Sequence, residues 1–193
     1  MTFNPSAPDT GPQRELIPEG LHVAYCSRII ELGEQPGYQG KPARPKAVIA
    51  FNLPGFTVEM NGETKHRMIS NPFGITMSNF ERADMTQYTK ALNPNATNLG
   101  EFLGKPCMVN IVHYKKSNDT TGDKIDKVLR LMAGTPAPEP DIDLWWFKFD
   151  DPDMNLWEKI PEFQRKIIME AENYKGSLLQ RLIEGTDDSD SPY

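Results

Sequence analysis

The sequence predicts a mainly β protein with a few helices: a small Greek-key barrel followed by a helical appendage. Three observations predict it. Apolar and polar residues alternate with period two in six runs between residues 20 and 132. The period turns helical only once inside that span, at 79–92. Gly, Pro and Asn-Gly signals separate the runs.

Residues 1–18, rich in Pro, Gly, Asp and Ser, read as a loose arm. Residues 20–33 form the first strand, with Leu21, Val23 and Tyr25 on one side and His22, Ala24 and Cys26 on the other. Residues 35–45 are a Gly- and Pro-dense loop carrying Tyr38, Lys41 and Arg44. A second strand follows at 46–53. Pro54-Gly55 turns the chain into further extended structure at 56–60, and Asn61-Gly62 predicts a hairpin returning through 63–70. In 79–92, Phe80, Ala83, Tyr88, Ala91 and Leu92 recur at helical spacing until Asn93-Pro94 stops them. A short helical turn is expected at 98–104. Strands resume at 106–116 and 124–132 around a hairpin loop at 117–123. Residues 133–141 are a proline-stiffened linker, and 143–149 are extended and aromatic. A helix is expected over 160–174, with Pro161 in its first turn and Phe163, Ile167, Ile168 and Ala171 on one face, and 177–183 extend it. Four regions result: the arm 1–18, a barrel over 19–133, the linker, aromatic strand and C-terminal helix over 134–183 packing on the barrel, and a tail over 184–193. This element order, with a helix between the third and fourth strands, is that of an OB-fold; five or six strands also suit another small barrel.

The chain has 193 residues and a net charge of −6. That charge is unevenly spread. Residues 1–133 carry 15 Lys and Arg against 13 Asp and Glu, a balance of +2, while 134–193 carry 6 against 14, a balance of −8. The overall acidity therefore does not exclude a polyanionic partner for the body of the protein. No stretch approaches the about 20 apolar residues that span a bilayer. Residues 1–13 show neither the basic start nor the apolar run of an export signal, which predicts a cytoplasmic protein, in the host cell if a phage encodes it. Cys26 and Cys107 each lie in an apolar run and read as buried free thiols.

Enzymatic signatures are missing. The sequence holds no phosphate-binding Gly-x-x-x-x-Gly-Lys loop, no His-Glu-x-x-His pair and no Cys-x-x-Cys pair, and His22, His66 and His113 lack ligand spacing. The expectation is a non-enzymatic protein without a cofactor or metal. One alternative keeps the carboxylates Asp141, Asp143, Asp150, Asp151 and Asp153 as a hard-cation site of a metal-dependent nuclease, although Asp150-Asp151-Pro152-Asp153 reads equally as a solvated turn.

A binding site for single-stranded nucleic acid needs cations to follow phosphates and aromatic faces to stack bases. Three groups of residues offer both. The last hairpin carries Tyr114, Lys115, Lys116, Lys124, Lys127 and Arg130, and residues 105–130 hold six cations against three anions. The loop between the first two strands carries Tyr38, Lys41, Arg44 and Lys46, and the middle strands carry Lys65 and Arg67 beside His66. In an OB-fold the two loops wall the nucleic-acid cleft. The plainer reading is that exposed Lys and Arg protect sheet edges. Trp145-Trp146-Phe147 sits among five acids in 139–151, which suits a barrel cap or a homo-oligomer contact better than a phosphate track.

The chain ends Asp187-Asp188-Ser189-Asp190-Ser191-Pro192-Tyr193, which has no core-forming pattern and reads as a solvated, mobile tail. Together with the barrel order, this ending resembles the OB-fold single-stranded DNA-binding proteins of tailed phages, many of which finish in an acidic tail with a terminal aromatic. The segment 160–174 resembles a closing helix of phage replication-module proteins. This tail differs in being interrupted by serine and in ending with Tyr where Phe is usual. The resemblance implies sequence-nonspecific, cooperative binding of single-stranded DNA in replication or recombination. It also implies that Asp187, Asp188, Asp190, Pro192 and Tyr193 recruit replication proteins such as a polymerase, helicase or primase. Such a tail can mimic a short single strand and cover the basic groove until DNA displaces it. The remaining alternative is a viral protein-interaction module that docks a partner through its acidic, aromatic C-terminal third.

Overall fold

The first strand organises the molecule. The computed structural model describes residues 15–60 and 62–185. In it β1 (Gly20–Gln35) is followed by β2 (Arg44–Met60), β3 (Glu63–Ser70), the two-residue β4 (Ile75–Thr76), α1 (Asp84–Leu92), β5 (Pro106–Lys115), β6 (Thr121–Arg130), β7 (Trp145–Phe147), α2 (Met154–Lys159), α3 (Glu162–Met169) and α4 (Leu178–Glu184). Among the described residues seven strands make one sheet, antiparallel except at β7, in the order β3-β2-β1-β5-β6. β4 lies beside β2, and β7 runs parallel to β1.

β1 serves different neighbours along its length. Gly20 to Tyr25 pair with β5, Tyr25 to Gln35 pair with β2, and Arg28 to Ile30 also pair with β7. A bulge between Cys26 and Arg28 shifts the alternation by one residue. Ala24 and Cys26 before the bulge and Ile29 after it therefore face the same core. Ile30 and Leu32 face the opposite side. The inner core joins Ile49, Phe51, Ile69, Val109, Ile111 and Val128, and α1 covers it with Met85, Tyr88 and Leu92. The outer core joins Ile30, Leu32 and Val48 to Phe147, Phe149, Trp157, Ile160, Ile168 and Leu179, so the C-terminal helices pack on the outside of the β1–β2 sheet. Burying one side chain of this size contributes about 1.5–3 kcal/mol. Gly33 lies at a second irregularity of β1, with φ +73°, and a Cβ there would meet Phe149, Asn173 and Ala171 within 2.9 Å. This close approach lets Asn173 Oδ1 accept the Glu34 N–H at 2.9 Å while Glu34 O accepts the Glu172 N–H.

The sheet curls until its outer strands approach. Asp123 on β6 accepts from Arg67 on β3 at 3.3 Å and from the Ile17 N–H at 2.9 Å. Ile17 is itself part of the inner core, so the expected loose arm stops short of it; residues 1–14 lie outside the described residues.

Several elements differ from expectation for local reasons. α1 starts at Asp84 rather than 79, because the Ala83 N–H closes a turn onto Phe80 O and leaves Phe80 exposed. The two extended pieces after residue 44 are one strand, with its irregularity between Leu53 and Thr57 around Pro54-Gly55. The helix expected over 160–174 is shorter, ending at Met169, and 177–183 do not extend it but belong to the separate α4. Pro161 is the N-cap of α3 rather than part of its first turn, and α2 ends before it. α2 begins at Asp153, whose carboxylate accepts the Asn155 N–H at 2.8 Å. On α3, Phe163 is exposed and Gln164 is buried instead, its amide donating to Pro72 O at 3.1 Å.

Candidate nucleic-acid interface

The β5–β6 hairpin presents its cations at the tip. Lys115 pairs with Thr121 and Tyr114 with Gly122. A Cβ on Gly122 would come within 3.1 Å of the Tyr114 ring and 2.7 Å of Lys116 Cε, so the glycine lets the ring lie flat against the opposite strand. Lys124 Nζ sits 5.4 Å from the ring centre. Tyr114, Lys116 and Lys124 thus form one exposed cluster of an aromatic face with two ammonium groups, and Lys115 is exposed next to Tyr114 on the strand.

The other cations assigned to this hairpin stand apart. Arg130, six residues and about 20 Å along β6 from Lys124, donates through Nε to Lys90 O at the end of α1. Lys127 is exposed opposite Asn110, next to Asp126, which accepts from that Asn110 amide. Arg67 is 8 % exposed and ion-paired with Asp123 across β3 and β6, and it also lines the groove described below. His113, next to Tyr114 on β5, bonds Ile17 O through Nε2.

Between β1 and β2 a single 3-10 turn, Tyr38–Gly40, carries Gln39 in the left-handed region at φ 52°. Gly37 allows the chain to close there, since a Cβ would fall 2.0 Å from Lys41 O. Lys41 and Arg44 are exposed; Lys46 is half-buried opposite Thr76 of β4. This loop and the hairpin tip lie at opposite ends of the sheet. From Tyr25, the loop is ten residues along β1 and the hairpin tip nine residues along β5, about 30 Å each way at 3.3 Å per residue.

Between them the outer face of β1, β2 and β3 forms an open groove of about 1690 Å³, closed on one side by residues 140–145. Its floor is a polar chain. The Asn52 amide donates to the Tyr25 hydroxyl at 2.6 Å, and that hydroxyl donates to Asp141 Oδ1 at 2.6 Å. His66 Nδ1 lies 2.9 Å from Asp141 Oδ2. The Tyr25 hydrogen bond, with His66 beside it, holds the Asp141 carboxyl below the usual carboxylate range. Burial pushes the Tyr25 phenol up, and its bond to Asp141 adds to this. Arg28 stands over the Trp145 ring at 5.4 Å, and Lys65 and Lys159 line the same groove.

Sequence reasoning placed Lys65 and Arg67 here but missed Arg28, Tyr25 and Asn52, and it grouped Asp141 with acids that would repel phosphate. A visible signal for Arg28 was its position, a lone cation inside the apolar run from Val23 to Leu32. The tail residues Asp187, Asp188, Asp190, Pro192 and Tyr193 lie outside the described residues, and so does the Tyr38 side chain. Among the described residues no three His, Cys, Asp or Glu side chains are grouped to hold a metal. Asp153 caps α2 and Asp151 pairs with Lys148 at 3.4 Å. Cys26 and Cys107 are buried free thiols, and among the described residues no helix is long and apolar enough to cross a membrane. Trp145 and Phe147 are buried in the outer core, while the Trp146 indole donates to Glu31 Oε1 at 3.0 Å. Compared with known proteins, the sequence matches no family model and no curated protein.

Proposed function

We propose that the chain binds single-stranded DNA without sequence preference, on an OB-type barrel, in phage replication or recombination. The observation that carries this reading is the strand order β3-β2-β1-β5-β6 with α1 between β3 and β5, which puts a groove on the β1–β2–β3 face and a cationic loop beyond each end. In OB-folds that face and those loops take oligonucleotides. Tyr114 with Lys115, Lys116 and Lys124 supplies a stacking face and phosphate contacts at one end; Lys41 and Arg44 supply charge at the other. The acidic tail is proposed to compete for the same cations and, once displaced, to recruit replication proteins.

The test is fluorescence anisotropy of a labelled dT oligonucleotide over a range of salt. Binding that weakens steeply with salt is expected, as is tighter binding when residues 186–193 are removed. Flat or weaker binding on removal overturns the masking role of the tail alone. No binding at low salt overturns the single-strand reading. A second reading, a protein-docking module, is favoured by one feature: α3 and α4 expose Phe163, Met169, Leu178 and Leu182.

A further inference from the structure

The groove's chemistry is incomplete at Arg28. The residue leaves β1 at the bulge, between its register partners Ala50 on β2 and Trp145 on β7. Its guanidinium lies over the Trp145 ring, which is buried in the outer core and therefore fixed. Nε is buried with no hydrogen-bond partner, and no described residue forms an ion pair with this side chain. The nearby carboxylate of Asp141 is committed, one oxygen to Tyr25 and the other to His66. The Asn52 amide oxygen, also buried at the groove floor, has no partner either. Burial lowers the Arg28 pKa, as expected for a cation that has lost water without gaining an anion. A half-buried, unpaired charge is costly unless a ligand completes it.

We infer that Arg28, held over the Trp145 ring, is a phosphate anchor in the groove, taking one phosphodiester of a single strand with Lys65 and Lys159 on the same lining. The inference rests on the single-strand reading above. A guanidinium suits this task because its edge presents two N–H groups that match two phosphate oxygens. The position also fits, since the groove lies midway between the two exposed cation groups. A strand crossing it meets charge at both ends and one buried contact between them.

The experiment uses the full chain and the labelled dT oligonucleotide, with thermal unfolding of every variant recorded first. Arg28→Gln is expected to weaken binding by about tenfold or more and to flatten the log–log salt slope by about 0.7. Arg28→Lys keeps the slope but loses affinity, because an ammonium cannot make the paired contact. Lys175→Gln, which removes an exposed cation outside the groove, leaves both unchanged. Wild-type binding with unchanged affinity and slope in Arg28→Gln overturns the anchor and leaves the single-strand reading standing. Should Arg28→Gln fail to fold, Arg28→Lys decides: wild-type affinity in that variant overturns the anchor. No dT binding by the wild type overturns both readings together.

Discussion

Arg67 and Asp123 meet at 3.3 Å across the outer strands β3 and β6, with side chains 9 % and 4 % exposed. The pair draws together the two ends of the curled sheet, and the same carboxylate holds the Ile17 N–H. Removing one partner takes a charge-assisted bond from a buried charged group. Asp123→Ala or Arg67→Ala is expected to cost about 3–5 kcal/mol, read by denaturant unfolding. The double variant Arg67→Met/Asp123→Leu is expected to recover much of that loss. Single variants as stable as the wild type would show that the pair does not hold the strands together.

Tyr114 is the exposed aromatic face of the hairpin tip. Tyr114→Ala is expected to weaken dT binding by about 1–3 kcal/mol, or about five- to a hundredfold, with little change in stability. Gly122→Val is expected to do the same indirectly, because its side chain displaces the ring. Wild-type affinity in both variants removes the hairpin tip from the interface.

The Asp141 carboxyl is held below the usual range first by the Tyr25 hydroxyl and then by His66. A carboxylate whose pKa is depressed by folding stabilises the fold above its unfolded value, about 3.9, and that contribution disappears as pH falls through the lower native value. The cover of residues 140–145 over the groove is therefore expected to loosen only in strong acid. Carboxyl carbon NMR titration reads this directly: Tyr25→Phe is expected to move the Asp141 midpoint up. An unmoved midpoint would assign the shift to another group.

Both cysteines face the inner core. Burial pushes Cys107 up to about 12, and pushes Cys26 well above the usual thiol range with a smaller effect from Cys107. Neither thiol is expected to react with a disulfide reagent at mildly alkaline pH until the protein is unfolded, when both should. Rapid labelling of the native protein would require an opening of the sheet between β1 and β5.

The strands were legible because period-two alternation and turn chemistry are local. The bulge at Cys26–Arg28 was not, since only the partner strand shows which residue is extra. Helix ends were read less well. Phe80 and Ala83 happen to fit the spacing of α1, but a turn takes their backbone, and Asp-Pro-Asp hid the N-cap of α2 behind a loop signature. The tip of the cationic hairpin could be found from composition alone. The groove could not: Tyr25 and Asp141 are 116 residues apart, and their meeting depends on where the linker after β6 crosses the sheet.

Ile29 and Ile30 are neighbours in sequence yet belong to different cores. The inner core and the helical layer consequently share a wall, and neither can lose β1 without exposing the other. Unfolding is expected to be a single cooperative event in which the deepest β1 amides exchange hydrogen only through global opening. Trp157, buried against Phe147 on the outer side of that wall, then becomes an optical reporter of the inner core: tryptophan emission and the far-ultraviolet signal of the strands are expected to melt on one curve.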